Sequence, residues 1–204
     1  MNVLAVGAHP DDVEYGCGGT LLKLAGRGDQ VHLLVLTDGG AGGNVKKRRK
    51  EQERAAEIMG AASLAWGGFS DTQLAVDKKL IDLIEKAAGR ASAEEVYVNY
   101  PEDTHQDHRN LASCCMTAGR YVKKVFFYED YTSFNFEPDV FVDIESVLDK
   151  KMDLLAAHRS QVSRAYPTRL DMVESVRAIA NFRGFQAKVK YAEGFKPFRM
   201  LREI

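Results

Sequence analysis

The sequence has 204 residues, enough for one well-buried core and too few for two ordinary domains with a linker, so residues 1–204 are expected to form a single domain. With 28 basic and 29 acidic residues the formal net charge is -1, which excludes the basic balance of a nucleic-acid binder and leaves small molecules as the expected partners. No stretch approaches the roughly 20 apolar residues that span a bilayer, and the N-terminus lacks the basic start and apolar run of a signal peptide, so a cytoplasmic protein without membrane insertion is expected.

Residues 3–7 form a short apolar run ending in Gly7-Ala8-His9-Pro10, the pattern of a strand buried on both faces that stops abruptly, since proline cannot continue a central ladder. Leu21, Leu22 and Leu24, closed by Gly28-Asp29, predict a helix over 20–27 that starts near residues 17–19. A second apolar run at 31–36 predicts the next strand, and the glycine-rich segment 37–44 lies at its exit, where open α/β sheets place ligand-binding loops. Residues 46–60 predict an amphipathic helix ended by Gly60, followed by a short strand at 63–66. The pattern then gives a helix over 80–88, a strand over 95–99, a polar loop over 101–107 and a helix over 108–122. Strands at 125–128 and 140–144 and helices at 145–157 and 169–182 complete the chain.

Strands alternating with helices require crossover connections, so the expected class is α/β: a Rossmann-like, three-layer open sheet, mostly parallel, with helices on both faces. The basic run Lys46-Lys47-Arg48-Arg49-Lys50 reads as a solvated helix face. Cys114 and Cys115 are sequence neighbours and no CxxC pair occurs, so these and Cys17 read as reduced, buried residues.

Two clusters carry chemistry. His9-Pro10-Asp11-Asp12 follows the first strand, and His105-Gln106-Asp107-His108 follows the strand at 95–99; both sit at carboxyl ends, where ligands bind in open parallel sheets. His9 and Asp12, three residues apart around a proline turn, can converge on one Zn²⁺, leaving Asp11 over, and one histidine of the second cluster completes a His/Asp/His set. Three protein ligands with a fourth position open to water is the pattern of a catalytic zinc site and points to hydrolysis. His32, inside the second strand, and His158, on a late helix, read as structural.

These residues resemble the LmbE-like, GlcNAc-phosphatidylinositol de-N-acetylase (PIG-L) superfamily, whose first motif is His-Pro-Asp-Asp and whose second is His-x-Asp-His before a helix. Tyr100-Pro101-x-Asp103-Thr104, His158-Arg159-Ser160-Gln161 and Tyr191-Ala192-Glu193-Gly194-Phe195 also fit the family's layout. The resemblance implies a bacterial zinc-dependent amidohydrolase that removes an N-acetyl group from an amino sugar or sugar conjugate, free or nucleotide-linked, in amino-sugar or surface-polysaccharide metabolism. It further implies His9, Asp12 and His108 as ligands of Zn²⁺, with Fe²⁺ as the alternative cofactor, and Asp11 as general base. His105 is implied as oxyanion stabiliser or proton donor, Asp107 as the residue that orients an imidazole, and a homo-oligomer as the assembly in which such proteins often occur. In this sequence Gly39-Gly40-Ala41-Gly42-Gly43 stands where many relatives have a Gly-Glu pair, so substrate contacts there are expected to differ.

Arg48 or Arg49 could bind sugar hydroxyls or a phosphate, but a helix-surface position is the expectation. Tyr128-Glu129-Asp130 has two open readings, a pocket wall or a loop flanking the sheet. A rival function is nucleotide binding, from Gly16-Cys17-Gly18-Gly19 and from Asp38 at the end of the second strand. Against it, the fingerprint's third glycine would fall at Leu21 and His9 to Asp12 fill the turn that should hug a pyrophosphate. The other rivals keep the metal: a binding protein with an inactive site, or a hydrolase of a non-sugar amide.

Overall fold

A computed structural model describes residues 1–163 and 171–202 of the chain. Its elements in chain order are β1 (Asn2–Gly7), α1 (Asp12–Gly26), β2 (Gln30–Thr37), α2 (Val45–Met59), β3 (Ser63–Phe69), α3 (Lys78–Ala91) and β4 (Glu95–Asn99). They continue as α4 (Gln106–Ala118), β5 (Lys124–Tyr128), β6 (Val140–Asp143), α5 (Leu148–Ala157), α6 (Arg159–Val162), α7 (Met172–Ala187) and β7 (Ala192–Met200).

Side chains alternate along each central strand, and here both alternating sets are buried. Val3 and Ala5 of β1 pack on one face with Val13, Cys17 and Leu21 of α1, Met59 of α2 and Leu154 of α5. Leu4 and Val6 pack on the other with Leu80 and Ile84 of α3 and Leu111 and Cys115 of α4. A strand covered on both sides must be apolar at every position, which is why residues 3–6 carry no polar side chain. The result is the three-layer, mostly parallel sheet that the alternation predicts, in the order β3-β2-β1-β4-β5-β7-β6. Pairings among β1 to β5 are parallel, and β7 runs antiparallel between β5 and β6.

Three features depart from the sequence-based expectations. β7 is absent from the strands that the pattern predicts, because Pro197 and the interspersed charges break its alternation; the proline is tolerated at a register shift, where Phe126 pairs with Pro197 and Val125 with Arg199. α1 starts at Asp12 rather than near residue 17, and Gly16 and Gly19 are helix interior. A Cβ on Gly16 would enter the Tyr128 ring and one on Gly19 would meet Ile144 at 2.9 Å, so these glycines serve close helix packing rather than a turn. β3 runs to Phe69 instead of stopping at Trp66, because Gly67 and Gly68 mask its alternation. The expected start of the last long helix at Arg169 lies outside the described residues, and α7 spans Met172–Ala187.

α1 is held from below by a buried ion pair. Glu193 of β7 accepts hydrogen bonds from the Gly19 and Thr20 N–H groups at 2.8 and 2.7 Å and from Lys151 Nζ at 2.5 Å; Lys151 also donates to the Tyr15 carbonyl at 2.6 Å. Among the described residues no helix is long and apolar enough to cross a membrane.

Candidate metal centre

The strand order reverses between β1 and β4, and the loops leaving their carboxyl ends border one crevice, the place where open α/β sheets bind ligands. After β1 the chain turns sharply: Asp12 Oδ2 accepts the His9 N–H at 2.9 Å, and Asp11 takes a left-handed conformation with φ 97°. That turn puts Asp12 at the N-terminus of α1, where the helix dipole favours a carboxylate. After β4, His105 caps α4 and His108 lies in its first turn.

Three donor atoms meet in this crevice. His9 Nδ1 lies 3.3 Å from His108 Nε2, His108 Nε2 lies 3.3 Å from Asp12 Oδ2, and His9 Nδ1 lies 3.5 Å from the same carboxylate oxygen. Ligands about 2.0–2.1 Å from a tetrahedral zinc ion are separated from one another by about 3.3 Å, so the triangle has the size of such a coordination face.

The outer edges of both rings decide their tautomers. His9 Nε2 faces Asp71 Oδ1 at 3.0 Å and Asp107 Oδ2 at 3.3 Å, while His108 Nδ1 faces Asp103 Oδ2 at 3.1 Å. Ionised carboxylates only accept, so the outer nitrogens keep their protons, and His9 Nδ1 and His108 Nε2, which face Asp12, are the nitrogens that would give up theirs to a cation. The carboxylates are themselves held: Asp107 accepts from the Thr72 and Leu74 N–H groups at 2.8 and 3.2 Å, and Asp103 accepts from the His105 N–H at 2.8 Å. Asn99, the last residue of β4, donates to Asp12 Oδ2 at 3.3 Å.

Other donor groups fall close together, namely His9 with His105 and His108, His9 with Asp71 and Asp107, and Asp12 with His108 and Asp130. The first is weakened because His105 Nδ1 accepts the Asp107 N–H at 3.2 Å, and the second because it lies on the protonated edge of His9. Of the two histidines in the second motif, His108 is the one whose ring nitrogen faces Asp12 Oδ2, at 3.3 Å.

The electrostatics are those of a cation site. Burial opposes a charge on His9, yet the Asp12 carboxylate and hydrogen bonds to Asp107, Asp12 and Asp71 raise its pKa to about 12. The same contest lifts His108 to about 10, with Asp12 and Asp103 overcoming burial. Burial also acts against the Asp12 carboxylate, but His108 and His9 hold it well below its ordinary range. Burial next to Asp12 and Asp103 pushes Asp130 well above its own.

Asp11 and His105 flank the donors on the wall of the same crevice, which has a volume of 270 Å³. Asp11 Oδ2 accepts from Arg48 Nη2 at 3.2 Å, and the Asp11 N–H donates to Gln52 Oε1 at 3.2 Å. Burial raises the Asp11 pKa to about 6 against the Arg48 charge, near the pH at which a general base works. Because His105 Nδ1 accepts the Asp107 N–H, the ring proton of neutral His105 belongs to Nε2; burial, then the charges of His9 and His108, lower its pKa.

Every residue singled out in the two motifs is thus brought to one place, with Asp107 behind His9 rather than on the crevice wall. Arg48 is not on the helix surface: it is buried, and donates to the Gly39 and Pro10 carbonyls at 2.9 and 2.7 Å besides holding Asp11. Of Tyr128-Glu129-Asp130, Tyr128 is buried against the Val6 carbonyl and Asn99, Glu129 pairs with Arg183, and Asp130 faces the donors. His158 is buried 3.5 Å from Glu14, and His32 bonds Ser63 away from the crevice. Sequence reasoning missed Asp71 and Asn99. Both stand at carboxyl ends of strands, so the rule that located the two motifs could have found them.

Among known proteins, residues 4–119 match the family described as PIG-L, GlcNAc-PI de-N-acetylase. The chain is 31% identical to the uncharacterized deacetylase YaiS of Escherichia coli K12, over 78% of this chain and 90% of that protein. It is 30% identical to the diacetylchitobiose deacetylase of Thermococcus kodakarensis, over 95% of this chain and 82% of the relative. The crystal structure of the conserved protein TT1542 from Thermus thermophilus superposes with a TM-score of 0.88 at 28% identity, covering 100% of this chain and 97% of that one. The likeness also reaches a protein of different chemistry, the 4-oxalmesaconate hydratase of Pseudomonas putida, at 26% identity over 96% of this chain and 88% of its own.

Proposed function

The chain belongs to the GlcNAc-PI de-N-acetylase family and is an N-deacetylase, and from that premise we propose that it removes the acetyl group of an N-acetylated amino sugar or sugar conjugate with zinc held by His9, Asp12 and His108. The observation that carries the ligand set is the triangle of three donor atoms, its edges 3.3 to 3.5 Å, with carboxylates facing the outer nitrogens of both imidazoles.

When bound there, zinc supplies Lewis acidity, lowering the pKa of a water toward roughly 7 and polarising the amide carbonyl. The remaining work falls to the chain's own groups. Arg48 occupies Asp11 Oδ2, so Oδ1 is the oxygen that takes a proton from the attacking water. The His105 Nε2–H donates to the amide oxygen as negative charge develops on it. Asp11 then returns its proton to the leaving amine, so that water and amide become acetate and a free amino sugar. Asp107 acts one step back, by holding His9 in the tautomer that leaves Nδ1 free.

The test is elemental analysis joined to acetate release. Wild-type protein should carry close to one zinc per chain and release acetate from N-acetylhexosamines, and His9→Ala, Asp12→Ala and His108→Ala should each lose both properties. Retention of stoichiometric metal by all three variants would refute the ligand set.

A further inference from the structure

The peptide unit between Pro10 and Asp11 is gripped at both of its polar ends from α2. Arg48 Nη2 donates to the Pro10 carbonyl at 2.7 Å, and Gln52 Oε1 accepts the Asp11 N–H at 3.2 Å. Arg48 and Gln52 stand four residues apart on one face of the helix, so a single helix reaches both ends of one peptide plane. That plane sets the φ of Asp11, which at 97° is a conformation that a non-glycine residue keeps only where its surroundings hold it. Behind Gln52 stand two buried groups with no part in the chemistry above. Gln52 Nε2 donates to Glu14 Oε1 at 2.7 Å, Glu14 Oε2 faces His158 Nε2 at 3.5 Å, and all three side chains are fully buried. His158 opens the turn whose Ser160 donates to Glu51, the residue before Gln52, through its N–H at 2.9 Å and its hydroxyl at 2.5 Å, which fixes that turn to α2.

We propose that Gln52 is a positioning residue for Asp11: oriented by Glu14, and with Arg48 at the opposite end of the peptide unit, it holds the strained turn that aims the Asp11 carboxylate into the crevice. The inference rests on the reading of Asp11 as general base and adds what keeps that base aimed. An ionised carboxylate only accepts and a backbone N–H only donates, so Gln52 serves both in one amide orientation alone, oxygen toward Asp11 and nitrogen toward Glu14. Glu14 therefore acts on Asp11 through Gln52, and His158 faces the other oxygen of the same carboxylate. Asp12 has separate supports in the His9 N–H and Asn99, so the clamp serves Asp11 without carrying the ligand set.

Three variants test the clamp. Gln52→Met fills the same space without polar ends. Gln52→Glu sets two carboxylates against each other at the 2.7 Å contact, and joining it to Glu14→Gln trades the two groups, so that a carboxylate again accepts the Asp11 N–H and an amide again donates to a carboxylate. Acetate release would be measured with N-acetylglucosamine and its β-1,4-linked disaccharide. Each single substitution should lower kcat by about tenfold or more with KM and zinc content unchanged, because a misaimed group loses rate rather than binding, and the paired substitution should restore most of the loss. Amide hydrogen exchange needs no turnover: the Asp11 N–H should exchange about fivefold faster in either single variant, as for one lost hydrogen bond, and at the wild-type rate in the pair. Gln52→Glu, which keeps size and shape, stands in for Gln52→Met should the latter fail to fold. Ordinary kcat in the single variants, a loss that the pair does not repair, or a loss that follows zinc content would overturn the positioning role while leaving the deacetylase reading intact. Wild-type protein that releases no acetate, or Asp11→Ala protein with ordinary kcat, would instead count against the reading of Asp11 as general base, and the Asp11 amide would then decide the clamp: faster exchange repaired by the pair upholds it, and an unchanged rate overturns it.

Discussion

Replacing Asp103 by Asn tests whether the carboxylates behind the imidazoles matter to metal binding. Asp103 is fully buried and splits its oxygens: Oδ1 accepts the His105 N–H at 2.8 Å, and Oδ2 faces His108 Nδ1 at 3.1 Å and the Ser133 hydroxyl at 3.2 Å. An amide has only one acceptor oxygen. If it serves the His105 N–H, the amide NH₂ meets His108 Nδ1 and favours the tautomer with the proton on Nε2, the atom that faces Asp12 at 3.3 Å. Binding a cation then requires His108 to change tautomer first. Losses of this kind amount to about 10- to 100-fold in metal affinity, or about 1.4–2.7 kcal/mol. Competition for zinc against a chromophoric chelator measures that directly. Thermal melting of the metal-free protein separates it from the cost to the fold, about 1–3 kcal/mol for the disturbed buried hydrogen bonds. A variant that binds zinc as tightly as wild type would refute the tautomer argument.

Other changes probe different parts of the molecule. Asp11→Ala should keep its zinc by elemental analysis while kcat for acetate release falls by about 10²- to 10⁴-fold, the range for a lost general base. Gly39→Ala should disturb Arg48, whose guanidinium occupies the space of the new Cβ, and through it Asp11; a fall of about ten- to a hundredfold in kcat with unchanged metal content is expected. Lys151→Met strands the Glu193 carboxylate in the core and should destabilise the protein by about 3–5 kcal/mol in urea unfolding, with the metal site intact in the folded fraction. Burial pushes the Cys115 thiol up to about 12 and Cys17 well above its ordinary range; iodoacetamide at about pH 8 should therefore leave both unmodified until the chain is unfolded.

The sheet's centre was legible in the sequence because a strand covered on both faces is apolar along its middle: residues 3–6 of β1, 33–36 of β2 and 96–98 of β4 announce themselves. Its edges were not, since β3 carries Gly67-Gly68 and β7 carries Pro197, residues whose pattern makes sense only next to Leu36 and at the register shift opposite Phe126. Gly16 and Gly19 misled for a related reason. Glycine in sequence suggests a turn, whereas here Tyr128 and Ile144 press against the helix from residues more than 100 positions away. At the site, the two motifs stood out because their residue types are rare together and follow buried strands. Arg48 was hidden within a basic run whose other members are largely exposed, and only the fold reveals that it turns inward to Gly39, Pro10 and Asp11. Asp71 was hidden because the alternation that marks the strand before it fades at Trp66, three residues short of its end.

Metal-dependent deacetylation is tested by acetate release from a panel of free, nucleotide-linked and β-1,4-linked N-acetylhexosamines by purified protein, before and after removal of metal by a chelator and after its return. Release should stop with the chelator and resume with zinc, at one or more members of the panel. Release that persists without metal would contradict the role given to His9, Asp12 and His108. Metal-loaded protein that frees no acetate from any member would contradict the substrate class and turn attention to other chemistry, such as that of the hydratase relative.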